Sequence, residues 1–293
     1  MTAPKGFRIS ETGAAPTPGD ALQTALVLHS QGRFQEALDL LSGSGDFPAA
    51  DAYTLRGDVL VDMGRLAEAI GSYYSATVEA PANLYARSRL ASCLRRLGRW
   101  EQAAEAFQSV LNSDPHRDPL RLELGDCLLH LNRPEQALSC FDQCWSDAAQ
   151  RQALFGKGVA LQLLRRFEEA EIVYERVLVL DGKAEEVLAN LIALSLDAFD
   201  LERVLRYSRR LVEINPGSAL GLQGLTLVAL ERGEMDAAAR HFSALMAKAP
   251  ASVRTGRESS DDDVMEYRIS PKSIERIRNV MHERVSQAAV GRQ

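Results

Sequence analysis

A six-residue pattern returns along most of this chain at a nearly constant interval, and that interval limits what the chain can fold into. It reads Gly32-Arg33-Phe34-Gln35-Glu36-Ala37, then Gly64-Arg65-Leu66-Ala67-Glu68-Ala69, then Gly98-Arg99-Trp100-Glu101-Gln102-Ala103. Asn132-Arg133-Pro134-Glu135-Gln136-Ala137 and Arg165-Arg166-Phe167-Glu168-Glu169-Ala170 follow, and weaker copies end at Val204 and Ala238. The closing residue sets the period. Ala69, Ala103 and Ala137 are 34 apart, Ala170 comes 33 later, and Val204 and Ala238 follow at 34 each; only the step from Ala37 to Ala69 is shorter, at 32. A fixed period of this length marks a chain of stacked supersecondary units, each too small to bury its apolar face alone.

Two further series run in phase with the pattern. Gly57, Ala91, Gly125 and Gly158 precede it by about two helical turns, and Pro81, Pro115, Pro216 and Pro250 follow it. The stretch before each pattern reads as an amphipathic helix, A, whose small residue marks a close crossing with a partner helix. Gly-Arg or Asn-Arg ends that helix, because Gly and Asn tolerate the left-handed cap conformation. Acidic residues then open a second helix, B, where the helix dipole favours negative charge. The closing Ala is a second close-packing point. Tyr73-Tyr74, Phe107, Phe141, Tyr174 and Phe242 supply large side chains on helix B. Proline ends B, since it cannot donate the next backbone hydrogen bond. Repeat six departs from the pattern, with Ile192 and Val204 at its two small positions, and repeat four places Pro134 in the first turn of B, where proline is tolerated.

On these residues the chain resembles the tetratricopeptide repeat family over about residues 18–250, some seven tandem repeats. The resemblance implies an all-α, right-handed α-solenoid of helix-turn-helix repeats whose A helices line an inner, concave surface that binds peptides. Carried over by register, the inner positions of repeat two are Asp51, Thr54, Asp58 and Asp62, and those of repeat three are Tyr85, Arg89, Arg95 and Arg96. Repeat four supplies Leu122, Glu123, Asp126 and His130; repeat five Gln152, Phe155, Val159 and Leu163; repeats six and seven Asn190 and Gln223. The groove should therefore carry an acidic zone, an arginine zone and an apolar zone around Phe155. Arginine forks pair bidentately with carboxylates, so the middle zone suits an acidic segment, with Phe155 and Val159 taking its apolar anchor. Members of the family that bind chaperone tails use a clamp of Lys, Asn, Asn, Lys and Arg. Here its first position is Leu22, Thr54 or Ser88 and its second Leu26, Asp58 or Ser92, which disfavours that role.

Charge and composition narrow the function. The 293 residues hold 34 Lys+Arg against 40 Asp+Glu, a net charge of −6, whereas a general nucleic-acid binder needs a basic excess. No run approaches the ~18–20 apolar residues of a membrane-spanning helix, and MTAPKGFRIS lacks a signal-peptide core, so the expected setting is cytoplasmic. No nucleophile elbow, P-loop, dinucleotide fingerprint or H-E-x-x-H pattern occurs, and no enzyme activity or cofactor is expected. Cys127 and His130 on helix A of repeat four, with Cys140 and Cys144 on its helix B, are of the kind that zinc takes. Cys127 repeats the position of Cys93, which has no such companions, so ordinary packing is the better reading and no metal is expected.

The flanks read differently. Residues 1–17 are expected to be a disordered tail, 251–263 an acidic linker, and 264–293 an extra helix and tail opened by Ser270-Pro271. Ile274, Ile277, Met281 and Val285 form its apolar face, with Lys272, Arg276, Arg278 and Arg284 elsewhere on it. That helix could cap the last repeat, dock a partner or visit the groove. The expected function is a non-enzymatic scaffold or adaptor that holds a protein or peptide segment. The alternative is an assembly or regulatory subunit, or a chaperone, of an enzyme complex or secretion machine, with the last helix as docking or autoinhibitory element.

Overall fold

Seven residues, one in each copy of the repeat, hold left-handed backbone conformations, and they set where each hairpin turns. Gly32, Gly64, Gly98 and Gly233 have φ between 72° and 75°; Asn132, Arg165 and Phe199 have φ of 55°, 59° and 54°. At Gly64 the cap closes with two bonds: the Gly64 N–H donates to the Val61 carbonyl at 2.9 Å and the Arg65 N–H to the Leu60 carbonyl at 2.8 Å. These satisfy carbonyls that a helix end otherwise leaves unpaired. Repeat six makes the same closure, with the Asp200 N–H donating to Ser195 at 2.9 Å. It does so around Phe199, which is 89% exposed and accepts the conformation with no burial in return. That backbone costs an L-residue roughly 1–2 kcal/mol.

The structure, a computed structural model, describes residues 18–42 and 48–248. The expected N-terminal tail, linker and C-terminal helix lie outside the described residues. The described residues form fourteen α-helices: α1 (Pro18–Ser30), α2 (Phe34–Ser42), α3 (Ala49–Asp62), α4 (Leu66–Glu79), α5 (Leu84–Arg96), α6 (Trp100–Ser113) and α7 (Asp118–His130) come first. Then follow α8 (Pro134–Asp142), α9 (Asp147–Leu163), α10 (Phe167–Leu180), α11 (Glu185–Asp197), α12 (Leu201–Ile214), α13 (Ala219–Glu231) and α14 (Met235–Lys248). Odd-numbered helices are the A members of seven hairpins and even-numbered ones the B members. Among the described residues there is no strand, and no helix is long and apolar enough to cross a membrane. The chain divides into two units between Ala149 and Gln150. Within them, consecutive A helices α1 and α3, α5 and α7, and α11 and α13 touch one another directly.

The hairpins are held by one repeated contact. A Cβ built at Gly57 would lie 2.5 Å from the Tyr73 ring, at Gly125 2.5 Å from Phe141, and at Gly158 2.3 Å from Tyr174. At these three positions the ring of B therefore lies against the backbone of A, where glycine leaves it room. Tyr73 and Tyr174 are fully buried there, as is Phe107 in repeat three, where Ala91 holds the small position, whereas Tyr74 next to Tyr73 is 63% exposed. Repeat six inverts the arrangement. Its two equivalent positions are Ile192 and Ser208, both fully buried, so the bulk has moved from B to A. Ser208 in turn lies against α13, where a Cβ at Gly224 would come 2.1 Å from its Oγ. Among the described residues that hydroxyl meets no hydrogen-bond partner.

The start of three of the B helices, α2, α4 and α10, carries a second device. Arg33, Arg65 and Arg166 each fork onto the glutamate three residues on, Glu36, Glu68 and Glu169, with N–O distances of 2.6–2.8 Å. The acidic residue is thus fixed by the arginine of the same pattern as well as favoured by the helix dipole. The far ends of α4, α6 and α12 turn into extended residues, Ala80, Asp114 and Asn215, just before Pro81, Pro115 and Pro216.

Repeat four ends early. Helix α8 has 9 residues where α6 has 14, so Cys144 lies beyond the helix rather than on it. The chain is caught there by Asp118, whose carboxylate accepts from the Trp145 and Ser146 amides at 2.9 and 2.7 Å and from Arg121 at 3.0 Å. Both charged side chains are only 10% exposed. Beside the short helix, residues of α6, α7 and α8 line a cleft of about 810 Å³ of mixed character, with Gln108, Asn112, Gln136 and Gln143 beside Leu111, Leu124 and Leu128.

Two measurements check this account. Gly158→Ala should destabilise the protein by about 1–3 kcal/mol in urea unfolding, because the ring of Tyr174 must move, and Tyr174→Leu in the same chain should recover most of the loss. The second concerns Asp118. Burial pushes its pKa up, but the Ser146 donors, the Trp145 amide and Arg121 outweigh that and hold it below its usual value. Its stabilisation is therefore full above the unfolded value of about 3.9 and is lost as pH falls through the depressed folded value. Asp118→Ala should cost about 3 kcal/mol at neutral pH, and the gap to the natural chain should narrow under acid.

Candidate functional site

The A-helix face of the first unit is already occupied by its own charges. Asp58 on α3 accepts from three side chains: the Tyr73 hydroxyl of α4 at 2.6 Å, the Tyr85 hydroxyl of α5 at 3.1 Å and Arg89 Nε at 3.1 Å. Arg89 Nε also donates to the Tyr73 oxygen at 3.3 Å. Burial, with Asp58 adding to it, pushes the Tyr73 hydroxyl far above its ordinary pKa, so it stays a donor. Burial works against the Arg89 charge, but Tyr73, Asp58 and Tyr85 more than restore it. Arg95 at the end of α5 reaches across to α7, donating to Glu123 at 2.5 Å and to Asp126 at 3.0 Å.

The expected arginine zone is partly paired within the chain. Arg95 bonds Glu123 through Nε and Asp126 through Nη1, whereas Arg89 bonds Asp58 through Nε alone. Arg96 is exposed, and Tyr85 keeps 51% of its surface open. His130 ends α7 with its ring stacked on Trp100 at 3.9 Å and 7°. Asp62 is held by His29 at 2.7 Å. The sequence carries a signal for these pairs: opposite charges recur 28 and 31 residues apart, one repeat less one or two helical turns, as in Arg95 with Glu123 and Asp58 with Arg89.

In the second unit the same face is apolar. On α9, Phe155 and Val159 are half-buried and Leu163 is 48% exposed, with Gln152 exposed one turn before them. Phe155 leans on Tyr174 at 6.2 Å between ring centres. The Tyr174 hydroxyl donates to Gln162 at 3.1 Å and accepts from Asn190 Nδ2 on α11 at 3.0 Å. Asn190 thus reaches the groove by way of a buried tyrosine, as Arg89 does in the first unit. Gln223 sits half-buried on α13. Arg151 ties α9 to Asp181 at 3.0 Å and to Glu186 at the start of α11.

The cysteine and histidine cluster of repeat four does not converge. Cys127 is buried, Cys144 donates to the Cys140 carbonyl at 3.5 Å, and His130 faces Trp100. Among the described residues no three His, Cys, Asp or Glu side chains gather as metal ligands. Burial pushes the Cys127 thiol up to about 12 and the Cys144 thiol to about 11.

Hairpins of this kind, repeated in phase, define an α-helical repeat protein of the solenoid class. Tetratricopeptide repeat models match residues 22–84 and 54–118, and another matches residues 96–156; residues 22–156 are thus tetratricopeptide repeats. Tetratricopeptide repeats are in general a protein-interaction fold. Among solved structures, PilW, described as a widely conserved type IV pilus biogenesis factor, is 20% identical with a TM-score of 0.58, covering 71% of this chain and 97% of that one. PilF of Pseudomonas aeruginosa is 19% identical with a TM-score of 0.57, covering 71% of this chain and 95% of that one. YrrB, described as a repeat protein with an unusual peptide-binding site, is 19% identical with a TM-score of 0.53, covering 59% and 89%. At these identities the likeness is one of fold. No curated protein sequence matches the chain significantly.

The thiols give a direct check on the site chemistry. In the native protein at pH 7.5, Cys127 and Cys144 should react with a maleimide at least about 100-fold more slowly than a free thiol, since the thiolate is the reactive form. Urea should restore the ordinary rate, as followed by mass spectrometry.

Proposed function

We propose that this protein is a non-enzymatic adaptor that holds a segment of a protein partner on the A-helix face of its repeats. One observation carries the reading. Phe155, Val159 and Leu163 leave an apolar strip open on α9, beside polar groups that are already hydrogen-bonded to one another. An aliphatic or aromatic anchor of the partner gains by burying there, and buried anchors dominate the energy of most interfaces. The surface is formed in advance, so little ordering cost falls on the repeats.

The internal pairing changes the expected charge of the partner. On the first unit's face, the carboxylates Asp51, Asp58, Asp62, Glu123 and Asp126 outnumber Arg89, Arg95 and Arg96. With Arg89 and Arg95 bound to carboxylates, the face favours a neutral or basic segment over an acidic one. Arg95 and Asp58 act as spacers that hold neighbouring A helices in register.

Peptide display against the full chain tests this. Selected peptides should carry aliphatic or aromatic anchors, and Leu163→Glu, which changes an exposed position, should weaken them at least about tenfold with helicity unchanged. Peptides that bind Leu163→Glu as well as the natural chain would refute the reading.

A further inference from the structure

The A-helix face of the second unit is more than an apolar strip. Leu220 and Leu227 on α13 occupy the positions equivalent to Phe155's neighbours on α9, and both are half-buried. The last turns of α11 and α13 end in Asp197 and Glu231, both exposed at the position that Leu163 holds in α9. At the inner positions of these three helices there is no lysine or arginine; Arg151, next to them, is spent on Asp181 and Glu186. The face therefore offers apolar side chains with carboxylates along one edge. That combination asks for an amphipathic helix with a basic flank.

Read as a helix, the sequence after Ser270 would supply such an apolar face, bordered by Arg278 on one side and Arg284 on the other. Ser270-Pro271 opens a segment in which Ile274, Ile277, Met281 and Val285 share one helical face, and Lys272, Arg276, Arg278 and Arg284 stand elsewhere on it. As a helix, residues 270–285 would be about 24 Å long. Helix α14 ends at Lys248, with 21 residues between it and Ser270, and a tether of that length spans up to about 70 Å when extended. The reach is ample for a return to a face of the same unit.

We infer that the segment Ser270–Val285 of this chain is itself the occupant of the α9–α11–α13 face, with its isoleucines and Met281 on the strip of Phe155, Val159 and Leu163 and one of the two arginines that border that apolar face, Arg278 or Arg284, towards Asp197 and Glu231. This rests on the reading that the A-helix face binds a protein segment, and it adds what that segment looks like. A tethered helix acts at a millimolar effective concentration, so a free partner must either displace it or bind with its affinity reduced by the fraction of open chains. The protein then admits only segments that match or exceed its own in apolar face and basic flank.

The test uses the full chain with a photoreactive benzophenone amino acid in place of Leu163. Irradiation should give an adduct within residues 270–285. Its yield should stay constant on tenfold dilution and fall at least fivefold when Ile277→Asp and Met281→Asp are added. The same two substitutions should strengthen capture of a display-selected peptide about tenfold. An adduct outside 270–285 overturns the inference, and so does a yield that falls with dilution, which would make a second copy the occupant. If the adduct is absent while Leu163→Glu still abolishes peptide capture, self-docking alone is wrong. If Leu163→Glu also leaves capture intact, the binding reading of the face falls with it.

Discussion

Everything in this fold depends on how closely two helices can approach. An aromatic ring lies on a bare stretch of backbone at Gly57, Gly125 and Gly158, at distances that no Cβ could share. That contact sets the crossing of A and B within a hairpin. The left-handed cap five residues before the second small position sets the turn between them. Together they leave little freedom in the hairpin, and the remaining choice is how one hairpin meets the next. There the chain uses polar side chains: Asp58 with Tyr85 and Arg89, Arg95 with Glu123 and Asp126, and Tyr207 with Glu171 and Glu175 at 3.2 and 2.6 Å. The ring-on-glycine contact recurs in repeats two, four and five, and the polar contacts differ from one repeat to the next.

This division explains why the two units present different faces. A tyrosine on B buries its ring against glycine and still projects its hydroxyl to the next A helix. In the first unit the hydroxyl of Tyr73 meets an aspartate and an arginine, which draw further charges into the groove. In the second, Tyr174 meets Gln162 and Asn190, neutral partners that need no countercharge, and the neighbouring positions are free to be Phe155 and Val159. One change of partner at a buried hydroxyl thus decides whether the surface above it is ionic or apolar.

The repeat was legible from the sequence because its determinants are local. Gly, Arg, Glu and Ala at fixed spacing announce the cap, the opening fork and the close packing, and the period does the rest. Ile192 looked like a lapse in repeat six only because its compensation, Ser208, lies 16 residues away on another helix. The short α8 was hidden for a similar reason: its sequence stays compatible with helix, and the chain turns where Asp118, a distant residue, supplies acceptors to the Trp145 and Ser146 amides. The places of these residues on the A helices could be read from register, but their side-chain partners could not. An arginine in a pattern looks available until the carboxylate 28 or 31 residues away is placed beside it.

The backbone of this protein is periodic, but its charges are not. If residues 70–103 were lost, every helix would remain in phase, since one whole period would be gone. Asp58 would then face Glu123 where it now faces Arg89, two carboxylates in place of an ion pair. Unequal recombination between such repeats can change the number of hairpins without disturbing a single turn, yet the product would be marked by repulsion at the new joint. The polar contacts thus give each repeat an address, and the order of the hairpins is written in side chains that the fold itself does not require.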